Sequence, residues 1–526
     1  MSSNKISPRT LKVPIVNVYA KGGYSAQLSI GAEKHPLNLI LDTGSSTLVV
    51  SGSDDINQRD SALTPTSFAQ EVLYGIGGWD GPVIYTRVGI RENQRGLDTR
   101  DAHVPHAHKP IVLEQCPVAV VSSRQQKISF ADADGILGLA YHSLNKVYDL
   151  KSYFTHYGIT PALTFPWPFG EAIHLCTSHY QPIMNQEVTL QSEANFNSED
   201  LRQFKRFLTR QPSDDLPPYF NDLTEHGLTR NKFGFYASRS SIHLCSDEII
   251  APNSAGEFAY LGQDPLNQGW LILGGGEEHT ELYQGDFKSI AVMEDKYYNV
   301  NLVGLQIGDN EMVPSLLTQS LDETSASSAD KQPSLASHPL CPDGQHLHTH
   351  GVHINNAMRG QSNAIIDTGA SAIVLTRHLF GAMTQVLEEI NPQFIHQIAP
   401  FSDIAFQQTG IDMTELQLKQ WPNLTFYFVG PRNDIHSCDN NDSLQDSEAI
   451  AITVTPQHYW QINTPTKGKA CFKLLSQLPN WPDQSILGLP LMSGYYVIFD
   501  RSVDDKGVIR FAEQKPLSMS EAQLAK

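Results

Sequence analysis

Between Val13 and Val50 apolar and polar residues alternate in short runs. Val16 and Val18 sit between polar neighbours, a Gly22-Gly23 pair follows, and Ala26-Gln27-Leu28-Ser29-Ile30 resumes the alternation. A period of two broken by glycine predicts half-buried strands joined by turns. His35-Pro36 then leads into a further apolar run, Leu37 to Leu41. In Glu71-Val72-Leu73-Tyr74-Gly75-Ile76-Gly77-Gly78-Trp79-Asp80-Gly81 two β-type runs flank a glycine-rich tip, which predicts a hairpin over 71–87. Strand patterns recur at 232–237, 269–276, 297–307, 495–501 and 507–511. A 3.6-residue period is found at Arg377–Ile390, with Phe380, Met383, Val386 and Leu387 in phase. It is found again after Ser198, a suitable N-cap, with Leu201, Phe204, Phe207 and Leu208 on one face. The chain reads as mainly β with short helices.

One stretch is written twice. Leu39-Ile40-Leu41-Asp42-Thr43-Gly44-Ser45-Ser46 returns as Ala364-Ile365-Ile366-Asp367-Thr368-Gly369-Ala370-Ser371. Downstream of the first copy lies Asp134-Gly135-Ile136-Leu137-Gly138-Leu139, and downstream of the second lies Ser485-Ile486-Leu487-Gly488-Leu489. A lone Asp-Thr-Gly means little, but two copies that each end a β-type run point to a duplication. The expected organisation is one half over 1–280 and another over 281–526, each delivering a carboxylate to a shared site. Residues 143–217, with Pro161, Pro166 and Pro168, fit neither half and read as an insertion. Residues 313–360, rich in serine, alanine and proline at their start, read as a flexible one.

At 526 residues the chain is too long for one core and suits two halves with insertions. Lysine plus arginine number 37 against 56 acids, a net charge of −19, which argues against nucleic acid or an anionic membrane as partner. No run approaches the ~18 apolar residues of a membrane span. The stretch Met1–Pro14 has no apolar core of the signal-peptide kind, so the expected location is cytoplasmic. Of six cysteines, Cys176 and Cys245 share an Ile-His-Leu-Cys context and make the first candidate pair, although a cytosol would keep them reduced.

Two carboxyl groups a few ångströms apart can hydrolyse an amide without a metal or a covalent intermediate. They cannot both ionise comfortably, so one keeps its proton. The ionised one takes a proton from water, and the protonated one hydrogen-bonds the scissile carbonyl. Asp42 and Asp367 are the candidate pair, and no cofactor is called for.

On these motifs the chain resembles the pepsin-like aspartic proteases of the A1 type. Its short lead before Asp42 is similar to that of the bacterial pepsin homologues called shewasins. The resemblance implies an all-β bilobal fold of two pseudo-symmetric, barrel-like lobes with a cleft between them. It also implies a monomeric endopeptidase working at acid pH, with protein or peptide substrates and pepstatin-like inhibitors as partners. Thr43 and Thr368 match threonines that bond across to the opposite turn, Gly44 and Gly369 let amides face the carboxylates, and Ser45 matches a serine bonded to the first aspartate. Tyr74, Gly75 and Ile76 match the flap tip. Ile136, Tyr236 and Ile486 match positions lining substrate pockets, which implies bulky apolar side chains at the cleaved bond.

Three positions depart from the family. Ala370 stands where a hydroxyl residue is usual, Leu489 replaces an aspartate, and Val49 replaces a tryptophan that bonds the flap tyrosine, with Trp79 as the candidate substitute. Two rival readings stand beside the protease. His346, His348, His350 and His353 near Cys341, and His103, His106 and His108, could hold a metal, but their polar context reads as solvated loop. Alternatively the chain is a catalytically silent pepsin-fold protein that binds a partner.

Overall fold

The computed structural model describes residues 8–52, 56–74, 77–91, 110–121, 130–167, 206–244, 260–320, 352–354, 358–432, 447–479 and 481–515. Among these, strand is the main regular structure. Six strands form a central antiparallel block in the order Leu11–Ala20, Gln268–Leu273, Lys232–Ala237, Tyr495–Asp500, Val508–Gln514 and Tyr283–Ala291. The block has a two-fold pattern: a hairpin from each half of the sequence, flanked by one further strand. Its seam pairs Phe233 with Phe499 and Gly234 with Ile498, and the two phenylalanine rings stack 4.8 Å apart. Phe233, Phe235, Leu271, Leu273 and Phe499 face the main core. Tyr236, Ile272, Tyr496 and Ile498 face the other way and pack with Leu282. This follows from the alternation of side chains along a strand.

Each half then repeats one strand arrangement. In the first, Gly23–Ile30, His35–Asp42, Gly135–Gly138, Leu48–Val50 and Ile111–Val120 are neighbours in that order. In the second the order is Tyr298–Val300, Ala364–Ile366, Ser485–Leu487, Ile373–Leu375 and Leu474–Ser476. The senses match as well: antiparallel, parallel, antiparallel, parallel. The register is the same, with Ile40 opposite Ile136 and Ile365 opposite Ile486. The fold is thus the all-β, two-lobed arrangement expected from the duplicated motif.

The predicted hairpin is longer than its pattern, running from Thr64–Tyr74 into Gly77–Ile90. Within 143–217, Lys146–Asp149 and Ser213–Asp215 extend that hairpin's sheet, and helix Lys151–His156 lies against it. Ala69, Leu150, Phe154 and Leu208 close a small core there. Most of the helix expected after Ser198 lies outside the described residues; 206–208 are helical, with Leu208 buried.

The segment read as flexible from residue 313 begins ordered instead. Val313–Pro314 pairs with Gly304 and Leu305, and residues 316–320 are helical. Val313 packs on the core, and the buried Thr318 hydroxyl donates to Val303 O at 2.8 Å. Composition misled there because the Ser/Ala-rich tract starts after these anchors. His353–Ile354 likewise pairs with Ser447–Glu448. Helix Arg377–Ile390 has the predicted bounds, capped by Thr376 and burying Leu379, Met383 and Leu387. No helix among the described residues is long and apolar enough to cross a membrane. Cys116 and Cys471 are buried free thiols, while Cys176, Cys245, Cys341 and Cys438 lie outside the described residues.

Candidate active site

The strands His35–Asp42 and Ala364–Ile366 each run into an Asp-Thr-Gly turn, and the two turns meet between the halves. Glycine is required where the Ile-Leu-Gly strands pass them. A Cβ on Gly138 would lie 2.4 Å from Thr47 N, and one on Gly488 would lie 2.2 Å from Ala372 O. No side chain fits at such separations, so the sequence repeats glycine at both places.

The turns are locked by four reciprocal bonds. Thr43 N donates to Thr368 Oγ1 at 3.0 Å, and Thr368 N to Thr43 Oγ1 at 2.9 Å. Thr43 Oγ1 donates to Ile366 O at 2.8 Å, and Thr368 Oγ1 to Leu41 O at 2.9 Å. Both threonines are fully buried, so each hydroxyl's donor and acceptor capacity is used where water cannot replace it. Gly44 N donates to Asp42 Oδ1 and Gly369 N to Asp367 Oδ1, both at 2.8 Å.

The carboxyls themselves are neighbours. A Cβ on Gly44 would lie 2.7 Å from Asp367 Oδ2, and one on Gly369 would lie 2.5 Å from Asp42 Oδ1. Burial, the Asp42 charge and a hydrogen bond with Asp42 push the Asp367 carboxyl well above the ordinary carboxylate range. The amides of Gly369 and Gly44 pull the other way and do not prevail. The two sides are not equivalent: Ser45 Oγ donates to Asp42 Oδ2 at 2.5 Å, whereas Ala370 offers Asp367 no hydroxyl.

Behind Asp42 lies a contact that the sequence did not announce. Leu139 N donates to the main-chain oxygen of Asp42 at 2.7 Å, and Leu139 O accepts from Arg501 Nη2. The buried Arg501 also donates to Tyr298 Oη at 2.7 Å and to Asn221 Oδ1 at 2.8 Å, with its guanidinium 4.2 Å from the Tyr141 ring centre. Cation–π attraction is strong at such a desolvated site. Burial, then the charges of Asp42 and Asp367, raise the phenol of the half-buried Tyr297.

Of the expected flap residues, Tyr74 ends its strand opposite Gly77, while Gly75 and Ile76 lie outside the described residues. Ile136 is buried with Val49, Trp79 and Phe130, and Ile486, its counterpart, is half-buried. Trp79 and Val49 thus share one buried cluster. Tyr236 faces away from the main core, and its hydroxyl donates to Lys515 O at 3.0 Å. Tyr236 is one residue on from Phe235, so strand alternation puts it on the other face. Leu489 is buried and donates from its amide to Ala370 O at 2.8 Å. His103, His106, His108, His346, His348, His350 and the His353 side chain lie outside the described residues. Among the described residues no group of His, Cys, Asp and Glu is placed to hold a metal.

The fold thus has two β halves whose paired Asp-Thr-Gly turns meet at the seam. Residues 344–514 match the eukaryotic aspartyl protease family, a span that carries the second Asp-Thr-Gly and the second Ile-Leu-Gly.

Proposed function

We propose that the chain is an aspartic endopeptidase in which Asp42 is the base and Asp367 the acid. The observation that carries this reading is the unequal environment of two neighbouring carboxyls. Asp42 has the Ser45 hydroxyl and the Gly44 amide to stabilise a charge, while Asp367 is held protonated beside it. Asp42 takes a proton from water as the water oxygen attacks the scissile carbonyl carbon. Asp367 gives its proton to the carbonyl oxygen, so a neutral gem-diol forms. Collapse returns a gem-diol proton to Asp367, Asp42 passes its proton to the amide nitrogen, and the carbon–nitrogen bond breaks. Titration belongs to the pair, not to either residue.

The substrates are proteins or peptides in extended form, with bulky apolar side chains at the cleaved bond met by Ile136 and Ile486. Pepstatin-like inhibitors occupy the same place. The test is a peptide-library digest from about pH 3 to pH 7, with and without pepstatin, on the unmodified chain and on Asp42→Ala. Cleavage lost in the variant and blocked by pepstatin supports the reading. No cleavage by the unmodified chain overturns it in favour of a silent binding protein.

A further inference from the structure

Two buried cations meet where the halves of the sequence pack together. Arg239 follows strand Lys232–Ala237 of the first half and is 8% exposed. Its Nε donates to Ser241 O at 2.8 Å, and its Nη2 crosses to Ile462 O of the second half at 2.6 Å. Ser240 N crosses to Gln461 Oε1 at 3.2 Å, and Leu244 N to Asn463 O at 3.1 Å. Strand Trp460–Ile462 pairs with Lys469–Phe472, with Gln461 opposite Cys471, and Lys473 N continues the ladder to Tyr459 O at 2.8 Å. Side chains alternate along a strand, so Gln461, Cys471 and Lys473 share one face. Gln461 accepts from Ser240, so this face meets the segment 239–241.

Lys473 is also 8% exposed, yet its amine makes no hydrogen bond or ion pair among the described residues. Burial lowers its ammonium; the Cys471 thiol opposes this, and the Arg239 charge adds to it. Burial likewise lowers the Arg239 guanidinium to about 10, against the pull of Tyr24 and Asp264. Asp264 is engaged elsewhere: its Oδ2 takes His243 Nδ1 at 2.6 Å, and its Oδ1 accepts from Leu266 N at 3.0 Å. On the same segment the buried hydroxyls of Ser240 and Ser241 have no partner. Neither has Asn17 Oδ1, whose Nδ2 donates to Ser241 O at 3.1 Å. Water satisfies hydroxyls and an amide oxygen, but it leaves two buried positive charges unbalanced.

We propose that this patch binds a small monovalent anion of the chloride kind between the two halves. Lys473 supplies a charge-assisted bond, and the hydroxyls of Ser240 and Ser241 turn their protons toward the anion. Arg239, already engaged with two carbonyls, contributes its field. The donors come from both halves, so the bound anion stabilises their union.

The test is thermal unfolding at neutral pH across a chloride series, with sodium gluconate, too large for a buried site, holding the ionic strength constant. The net charge of −19 does not gather anions over the surface at large, so a chloride response reports a local site. Above the chloride Kd, each tenfold rise in chloride is expected to raise Tm by about 1 °C. Lys473→Met removes the response and is at least as stable as the unmodified chain in gluconate, because it no longer buries an unpaired charge. The double variant Ser240→Ala, Ser241→Ala responds only at about tenfold higher chloride. In crystals of the unmodified chain soaked in bromide, an anomalous peak stands beside Lys473 Nζ. A Tm indifferent to chloride overturns the proposal and leaves water as the occupant. So does a response that survives Lys473→Met, a response unshifted in the double variant, or the lack of a bromide peak at Lys473. None of these readouts uses peptide cleavage, so the outcome stands apart from the endopeptidase reading.

Discussion

Thr43 and Thr368 each donate an amide proton to the other's hydroxyl oxygen, although 325 positions separate them in sequence. The exchange fixes the two turns relative to each other, so it acts on the geometry of the pair rather than on substrate. Thr368→Val keeps the volume but strands the Thr43 amide and the Leu41 carbonyl in a buried place. We expect a stability loss of about 2–4 kcal/mol. kcat should fall at least about tenfold with little change in KM, because a misaligned dyad loses stabilisation of the transition state. Thermal unfolding and steady-state kinetics check both; a KM effect alone would contradict the role.

Ala370 leaves Asp367 without the hydroxyl that Ser45 gives Asp42. Ala370→Thr should supply a donor that favours the ionised carboxylate and so lower the raised Asp367 value. The alkaline limb of the pH–rate profile then moves to lower pH, and the enzyme loses activity first at its near-neutral end. A profile that does not move would show that the hydroxyl does not reach the pair.

Arg501 joins the last strands of the sequence to the turn that carries Asp42. In Arg501→Gln the carbonyl of Leu139 and the hydroxyl of Tyr298 lose a donor, and the ring cage loses its cation. Breaking such a buried site costs about 3 kcal/mol. Activity should fall with it, because Leu139 backs Asp42. Denaturant unfolding and kcat measured on one preparation test this. Lost stability with full kcat would confine Arg501 to the fold.

His458 sets a limit in acid. Burial lowers its imidazole from 6.5 to about 4. Between those values the unfolded chain binds a proton that the folded chain does not, so stability is full above about pH 6.5 and falls as the pH drops toward 4. The loss is at most about 3 kcal/mol from this one group. His458→Gln should be less stable or equal at neutral pH, yet lose less on acidification. Denaturant curves at the two ends of that window decide it, and parallel losses in both proteins would clear His458. The working range of the enzyme is then bounded by two opposite demands, a proton kept on Asp367 and one kept off His458.

Much of this was open to a reader of the sequence. Asp42 and Asp367 stand out because duplication repeats both the apolar approach and the Ile-Leu-Gly strand, and the parallel registers follow from that repetition. The helix at 377–390 was legible because its apolar period runs four turns without interruption. Strand alternation from Phe233 also puts Tyr236 on the buried face away from the main core. The buried hydrogen bonds of Gln70 with Thr47 and Asn145 could not be read, since nothing local marks polar residues 23 and 75 positions apart as partners. Arg501 was hidden for the same reason: its partners Leu139, Asn221 and Tyr298 are supplied by distant strands and a helix.

The central block also has a consequence for how the protein is made. Strand Tyr495–Asp500 lies between strands from both halves of the sequence, and its nearest neighbour across the seam is Lys232–Ala237. On the ribosome, the earlier strands must wait with an open edge until nearly all of the polypeptide has emerged. Such long-range closure is slow, and the waiting edge is prone to pair with other chains. Production of this protein should therefore depend on chaperones or low temperature more than its size alone suggests, and severed halves should recover activity only when they are folded together.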